Sequence, residues 1–77
     1  MDIIANMLEI AKEGSIKTQI MYKANLSFTQ LNDYIDFLLN NDLIKQTGSE
    51  GKEFYVITAK GLDFLQVHKE LVQLLKA

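Results

Sequence analysis

The sequence predicts a mainly α domain with a small β-hairpin, an α+β fold that ends in one long helix. Three observations predict it. Apolar residues recur at helical spacing in three successive blocks of the first 40 residues. Two β-prone segments follow, separated by a polar stretch that contains Gly48 and Gly51. From Thr58 onward the apolar spacing is helical again, and the chain holds no proline to interrupt it.

The 77 residues leave room for one domain, and a domain this small is marginally stable, so self-association would help it. With 48% hydrophobic and 23% charged residues the chain is apolar enough to build a core, which argues against disorder. There is no cysteine, which removes disulfides, thiolate metal sites and thiol nucleophiles and fits a reducing interior. Met1-Asp2-Ile3-Ile4 lacks the basic start of a signal peptide, and no apolar run suits a membrane span, so the expectation is a cytoplasmic protein without membrane contact. Eight lysines stand against ten Asp plus Glu, a net charge of -2 that counts against nucleic-acid binding. No arginine is present, so the bidentate fork that most often reads guanine is missing.

The first helix is expected over Asp2 to Glu13, with Ile3, Ile4, Met7, Leu8 and Ala11 inward and Gly14-Ser15 as its stop. A short second helix follows over Lys17 to Ala24, with Ile20 and Met21 inward, and Ala24-Asn25-Leu26 forms a tight turn. The third helix has the best-marked start. Ser27 and Gln30 can cap one another's backbone amides, and Leu26 and Leu31 supply the flanking apolar staple. Behind that start Leu31, Tyr34, Ile35, Leu38 and Leu39 make one stripe, leaving Thr29, Gln30, Asn32, Asp33, Asp36 and Asn40 to face outward. The helix ends in Asn40-Asn41-Asp42, residues that tolerate the left-handed conformation. Leu43 to Thr47 and Glu53 to Thr58 are the expected strands, with Gly48 to Lys52 as the turn. Thr58 caps a final helix that runs to about Lys76.

Three helices and a hairpin, with a three-residue turn between the second and third helices, is the order of a winged helix-turn-helix. The wording is more specific. Thr18-Gln19-Ile20-Met21-Tyr22-Lys23-Ala24-Asn25-Leu26-Ser27, then Gln30-Leu31, Tyr34, Tyr55-Val56-Ile57-Thr58 and Lys60-Gly61, closely resemble the archaeal winged-helix family of small predicted transcription regulators and chromatin-associated proteins. The resemblance covers nearly the whole chain. It implies a winged unit over residues 1–58, with a recognition helix at about 27–40 and a wing at about 43–58, and a dimerisation helix over 59–77. It also implies a homodimer on double-stranded DNA: the third helix enters the major groove, the wing touches the backbone or minor groove, and two C-terminal helices form an antiparallel coiled coil. Thr29, Gln30 and Asn32 thereby become candidate groove residues. The chain departs from the pattern at Thr29, Asn32 and Asp33, where relatives are often basic, and at Asp42, where they tend to have glycine.

The chemistry of the residues can be read beside that resemblance. Lys17, Lys23 and Lys52 are distributed to meet phosphates, while the amides of Gln30 and Asn32 can pair with the major-groove edge of adenine. Thr18 and Ser49 complete the candidate DNA-binding set. Phe28 either packs under the wing or is exposed, where it could touch a thymine methyl or a sugar. Asp33 and Asp36 oppose phosphate.

In the last helix Phe64, Val67, Leu71 and Leu74 make one apolar series at coiled-coil spacing, and Leu65, His68, Val72 and Leu75 make a second beside it. Two stripes need two partners. One can cover the first helix of the same chain, so the other is expected against a second subunit, the alternative being one broad core face. His68 reads as interface packing, since a lone histidine without cysteine makes no structural zinc site, and the methionines read as core gap fillers.

Catalysis is not expected. Gly48-Ser49-Glu50-Gly51-Lys52 is too short for a phosphate loop, has Glu53 in place of the hydroxyl, and leads into a strand. No carboxylate pair or nucleophile set marks a pocket, and neither cofactor, metal nor small-molecule ligand is implied. Two functions remain. One is a DNA-binding transcription regulator or chromatin-associated, nucleoid-located factor; the other is a winged-helix protein-interaction module, which the acidic balance and missing arginine favour.

Overall fold

The computed structural model describes residues 2–49 and 51–76, with backbone only at Asp2 and Ser49. Glu50 of the expected turn and Ala77 of the last helix lie outside the described residues.

Helix α1 (Asp2–Ile10) puts Met7 and Leu8 at the centre of the core, and one 3-10 turn (Ala11–Glu13) follows it. The expected helix to Glu13 thus ends early as a regular helix. The cause is Gly14 at φ 84°, whose amide bonds the Ala11 carbonyl at 3.1 Å and tightens the last turn. The Ser15 hydroxyl donates to the Ile10 carbonyl at 3.1 Å, so this buried side chain satisfies a helix-end acceptor.

Helix α2 (Lys17–Ala24) buries Ile20 and half-buries Met21 and Ala24. Asn25 leaves it in the left-handed conformation at φ 57°, while the Leu26 amide bonds the Met21 carbonyl at 3.0 Å. Helix α3 (Phe28–Asn40) starts with the expected reciprocal cap: Gln30 N donates to Ser27 Oγ at 3.2 Å and Ser27 N donates to Gln30 Oε1 at 3.1 Å. Leu31, Ile35 and Leu38 are its buried stripe. Asn32, expected to face outward, is half-buried at the edge of that stripe. The exit of α3 uses Asp42 at φ 58°, and the Leu43 amide returns to the Leu38 carbonyl at 2.9 Å.

Strands β1 (Ile44–Ser49) and β2 (Lys52–Ile57) form an antiparallel pair with Ile44 opposite Ile57 and Ser49 opposite Lys52. The hairpin is longer and tighter than its sequence suggests. Gly48, Ser49 and Lys52 belong to the ladder, and the connection shrinks to positions 50 and 51, with Gly51 at φ 81°. Gly48 is needed for a different reason than a turn: a Cβ there would overlap the Lys52 carbonyl oxygen. Ser15 pairs with β2 through a single isolated bridge. Its amide bonds the Tyr55 carbonyl at 2.9 Å, and the Tyr55 amide bonds the Ser15 carbonyl at 2.8 Å.

Helix α4 (Ala59–Lys76) starts at Thr58, whose Oγ1 accepts the Gly61 amide at 3.0 Å and donates to the Asp42 carbonyl. Gly61 is buried against the Leu43 carbonyl and Ile57. Helix α4 packs on α1 through Leu65, its residues after Val72 are exposed, and the longest dimension of the molecule is 47 Å.

Because a methyl group at Gly61 meets backbone and cannot be relieved by a rotamer change, Gly61→Ala is expected to lower unfolding free energy by about 1–3 kcal/mol in urea titration. A variant as stable as the parent would show that α4 does not approach the Leu43 carbonyl this closely.

Candidate nucleic-acid interface

Three of the candidate residues meet in one place. An open groove of about 440 Å³ lies between the start of α2, lined by Ile16, Lys17, Thr18 and Gln19, and the start of β2, lined by Lys52, Glu53 and Phe54. Lys17 and Lys52 are brought together because the Ser15–Tyr55 bridge lays β2 beside the segment that begins α2. Ile16 occupies the cap position of α2 and gives no side-chain hydrogen bond, and no acid lies in the first turn. The positive end of the helix therefore stays uncapped beside two ammonium groups, a surface suited to an anion.

Phe28 adjoins this groove through Lys17, whose Nζ sits 6.0 Å from the centre of the ring. The ring is 64% exposed, so of the two placements left open by the sequence the structure takes the solvent-facing one. The half-buried aromatic at the wing is Phe54 instead. Thr29 is exposed in the first turn of α3, and Gln30 is exposed with its Oε1 engaged by the cap. Lys23 lies apart from the groove, at the other end of α2, roughly 9 Å further along the axis by helical rise. Ser49 pairs with Lys52 at the wing tip, but its side chain lies outside the described residues.

Gln19 and Phe54 are groove residues that sequence reasoning missed. The signal for Gln19 was present, since it neighbours inward-facing Ile20, while Phe54 needed the strand register. Exposed Tyr22 and half-exposed Phe37 were also missed, and Phe37 shares the outer face of α3 with Asp33 and Asp36. That helix carries no cation along its length. The acids reach beyond it: burial first, and then the charges of Glu53 and Asp36, push the Tyr55 hydroxyl above its ordinary value.

The two apolar series of α4 have different surroundings. Leu65 is only 4% exposed and belongs to the core of its own domain, which removes it from any outer face, and His68 and Val72 are half-buried beside it. Phe64 is half-buried with its ring stacked on His68 at 6.4 Å. Val67 and Leu71 are about half exposed, Leu74 is 74% exposed, and Leu75 stands out near the helix end. Across the inner side Lys69 reaches Glu9 of α1 at 3.6 Å, and Lys12 reaches the same carboxylate at 3.1 Å. The hydrogen bond from Lys12, against a smaller opposing effect of burial, holds the Glu9 carboxyl below its ordinary value.

Helix, turn, helix and a two-stranded wing are thus assembled around one core, and the sequence profile of the winged helix-turn-helix family matches residues 1–76. The chain belongs to that family. Two uncharacterised proteins of Methanocaldococcus jannaschii are among its relatives. One is 38% identical over 77 residues, spanning 99% of this chain and 75% of the relative. The other is 35% identical over 74 residues, 95% of this chain but only 33% of that longer protein. Among solved structures, the crystal structure of Sso10a-2, a DNA-binding protein from Sulfolobus solfataricus, superposes with a TM-score of 0.82 at 20% identity, covering 97% of this chain and 79% of that one. Among the described residues no helix is long and apolar enough to cross a membrane, and no group of three or more His, Cys, Asp or Glu could hold a metal ion.

The separation of the α4 stripes sets an expectation for stability. Leu65→Ala should cost about 2–5 kcal/mol at every protein concentration, as a core truncation does. Leu74→Ala, in protein diluted until the urea midpoint no longer varies, should change it by less than about 0.5 kcal/mol. Equal losses for the two would contradict the inner and outer assignment.

Proposed function

We propose that this protein binds double-stranded DNA as a homodimer and acts as a transcription regulator or chromatin-associated factor of the nucleoid. The observation that carries the reading is the groove in which Lys17 and Lys52, remote in sequence, flank the uncapped start of α2. A phosphate backbone supplies the anion such a groove suits, and Thr18 offers a hydroxyl beside it. Sso10a-2, whose fold this chain shares, is itself a DNA-binding protein, which supports the same conclusion. In this reading Thr29, Gln30 and Asn32 approach the major groove, Lys23 adds a phosphate contact, and Ser49 travels with the wing. Each lysine that meets a phosphate adds about 0.9 to the slope of affinity against salt, so Lys17, Lys23 and Lys52, present in both subunits, make affinity depend on salt.

The homodimer rests on the outer series of α4. Val67 and Leu71 are about half exposed and Leu74 is 74% exposed, so the monomer leaves this face largely open. A second copy laid antiparallel covers both stripes with one contact and presents two α3 helices to the duplex at a set spacing. A second reading has its own observation: Asp33, Asp36 and Phe37 on the outer face of α3 favour a protein-interaction module that meets DNA weakly.

Fluorescence anisotropy with a labelled mixed-sequence duplex tests the first reading. Binding should weaken steeply between low and near-physiological salt, and Lys17→Glu or Lys52→Glu should each weaken it further while flattening the salt slope by at least about one unit. Charge-reversed variants that bind like the parent would transfer the argument to the protein-interaction reading. For the dimer, Leu71→Glu should sediment as a monomer and lose tight DNA binding together, because an ion in an apolar seam is strongly disfavoured. If that variant sediments as the parent does, α4 is not the interface.

A further inference from the structure

We infer that Phe28 reads thymine, by apolar contact with the C5-methyl group, and that this contact gives the protein its base preference. The inference rests on the DNA-binding reading above and goes further, to which base is preferred and how. Its starting point is what α3 lacks. No lysine, arginine or histidine lies between residues 28 and 40, so the helix has no cation with which to read guanine. Its exposed carboxylates at Asp33 and Asp36 suit neither phosphate nor the acceptor edge of a purine.

What the first turn does present is a benzyl ring. Phe28 is the first residue of α3, where the reciprocal cap between Ser27 and Gln30 rather than any packing of the ring defines the helix start. The fold therefore does not require an aromatic there, and the ring remains 64% exposed. Lys17 lies over it at 6.0 Å and also lines the groove with Lys52. One lysine thus joins the two surfaces: an ammonium suited to phosphate stands next to an apolar group at the helix end that meets base edges in helix-turn-helix docking. The only apolar group that bases display in the major groove is the methyl of thymine. Gln30, with its Oε1 accepting from Ser27, is held in the cap and leaves Phe28 as the foremost reader.

The test compares a mixed-sequence duplex containing thymine with the same duplex in which every thymine is replaced by deoxyuridine, which removes the methyl and keeps the hydrogen-bonding edges. The wild-type protein should bind the thymine duplex more tightly, by roughly fourfold for each methyl covered, the factor carried by burying one such group. Because the contact is apolar, the preference should persist as salt lowers both affinities. Phe28→Ala should bind the two duplexes equally, and Phe28→Leu should retain part of the preference; circular dichroism checks that both variants fold. Equal wild-type binding to the two duplexes, or a preference that survives Phe28→Ala, overturns the inference while leaving salt-dependent DNA binding intact. Absence of binding to either duplex at low salt overturns the DNA-binding reading itself.

Discussion

Thr58 holds together the three segments on which the outer shape of this protein depends. Its amide bonds the Leu43 carbonyl at 3.0 Å, its hydroxyl donates to the Asp42 carbonyl, and the same oxygen accepts the Gly61 amide. The exit of α3, the end of β2 and the start of α4 are thereby tied at one residue. Asp42 makes this geometry available by turning the chain through the left-handed region, and Gly61 by letting α4 approach backbone without a side chain between. The direction of the long helix is thus decided in its first turn. Leu65 then anchors it on α1, while the exposed Glu9–Lys69 pair adds orientation more than energy, since water and salt screen such a contact.

The acidic balance of the chain conceals how its charge is arranged. A net charge of -2 averages over a groove bordered by Lys17 and Lys52 and an α3 face that carries Asp33 and Asp36. At physiological ionic strength charges are screened within about 8 Å, so a binding surface responds to its local groups rather than to the sum. The wing and α2 therefore present one electrostatic character and the outer face of α3 another. Glu53 within the groove tempers the first of these and would limit how tightly any polyanion is held.

The exposed series on α4 has a scale that bears on stability. Fully covering a Leu or Val side chain contributes about 1.5–3 kcal/mol, and a domain of ordinary stability has only about 5–15 kcal/mol in total. Val67, Leu71 and Leu74 are already partly covered, yet the remaining gain is comparable with the stability of the whole. Any partner that covers this face would couple its binding to folding, and apparent stability would rise with protein concentration.

Features that depend on residues three or four apart were legible in the sequence. The Ser27–Gln30 cap, the full extent of α2, the Leu31–Ile35–Leu38 stripe and the Thr58 start of α4 follow from helical periodicity and local hydrogen bonding, which operate over one turn. Lys17, Thr18 and Lys52 were legible as candidates by type, but not as neighbours. Their meeting depends on the Ser15–Tyr55 bridge, a pairing of single residues 40 positions apart that leaves no periodic trace. The hairpin register moved Gly48 from turn to ladder, because pairing across strands is settled by the partner and not by either segment alone. Tertiary packing likewise left Asn32 at the edge of a buried stripe and Phe28 in solvent, and chose which series of α4 faces inward. Periodicity can state that a helix has two apolar faces; which of them the core takes depends on the angle at which Thr58 and Gly61 set the helix against α1.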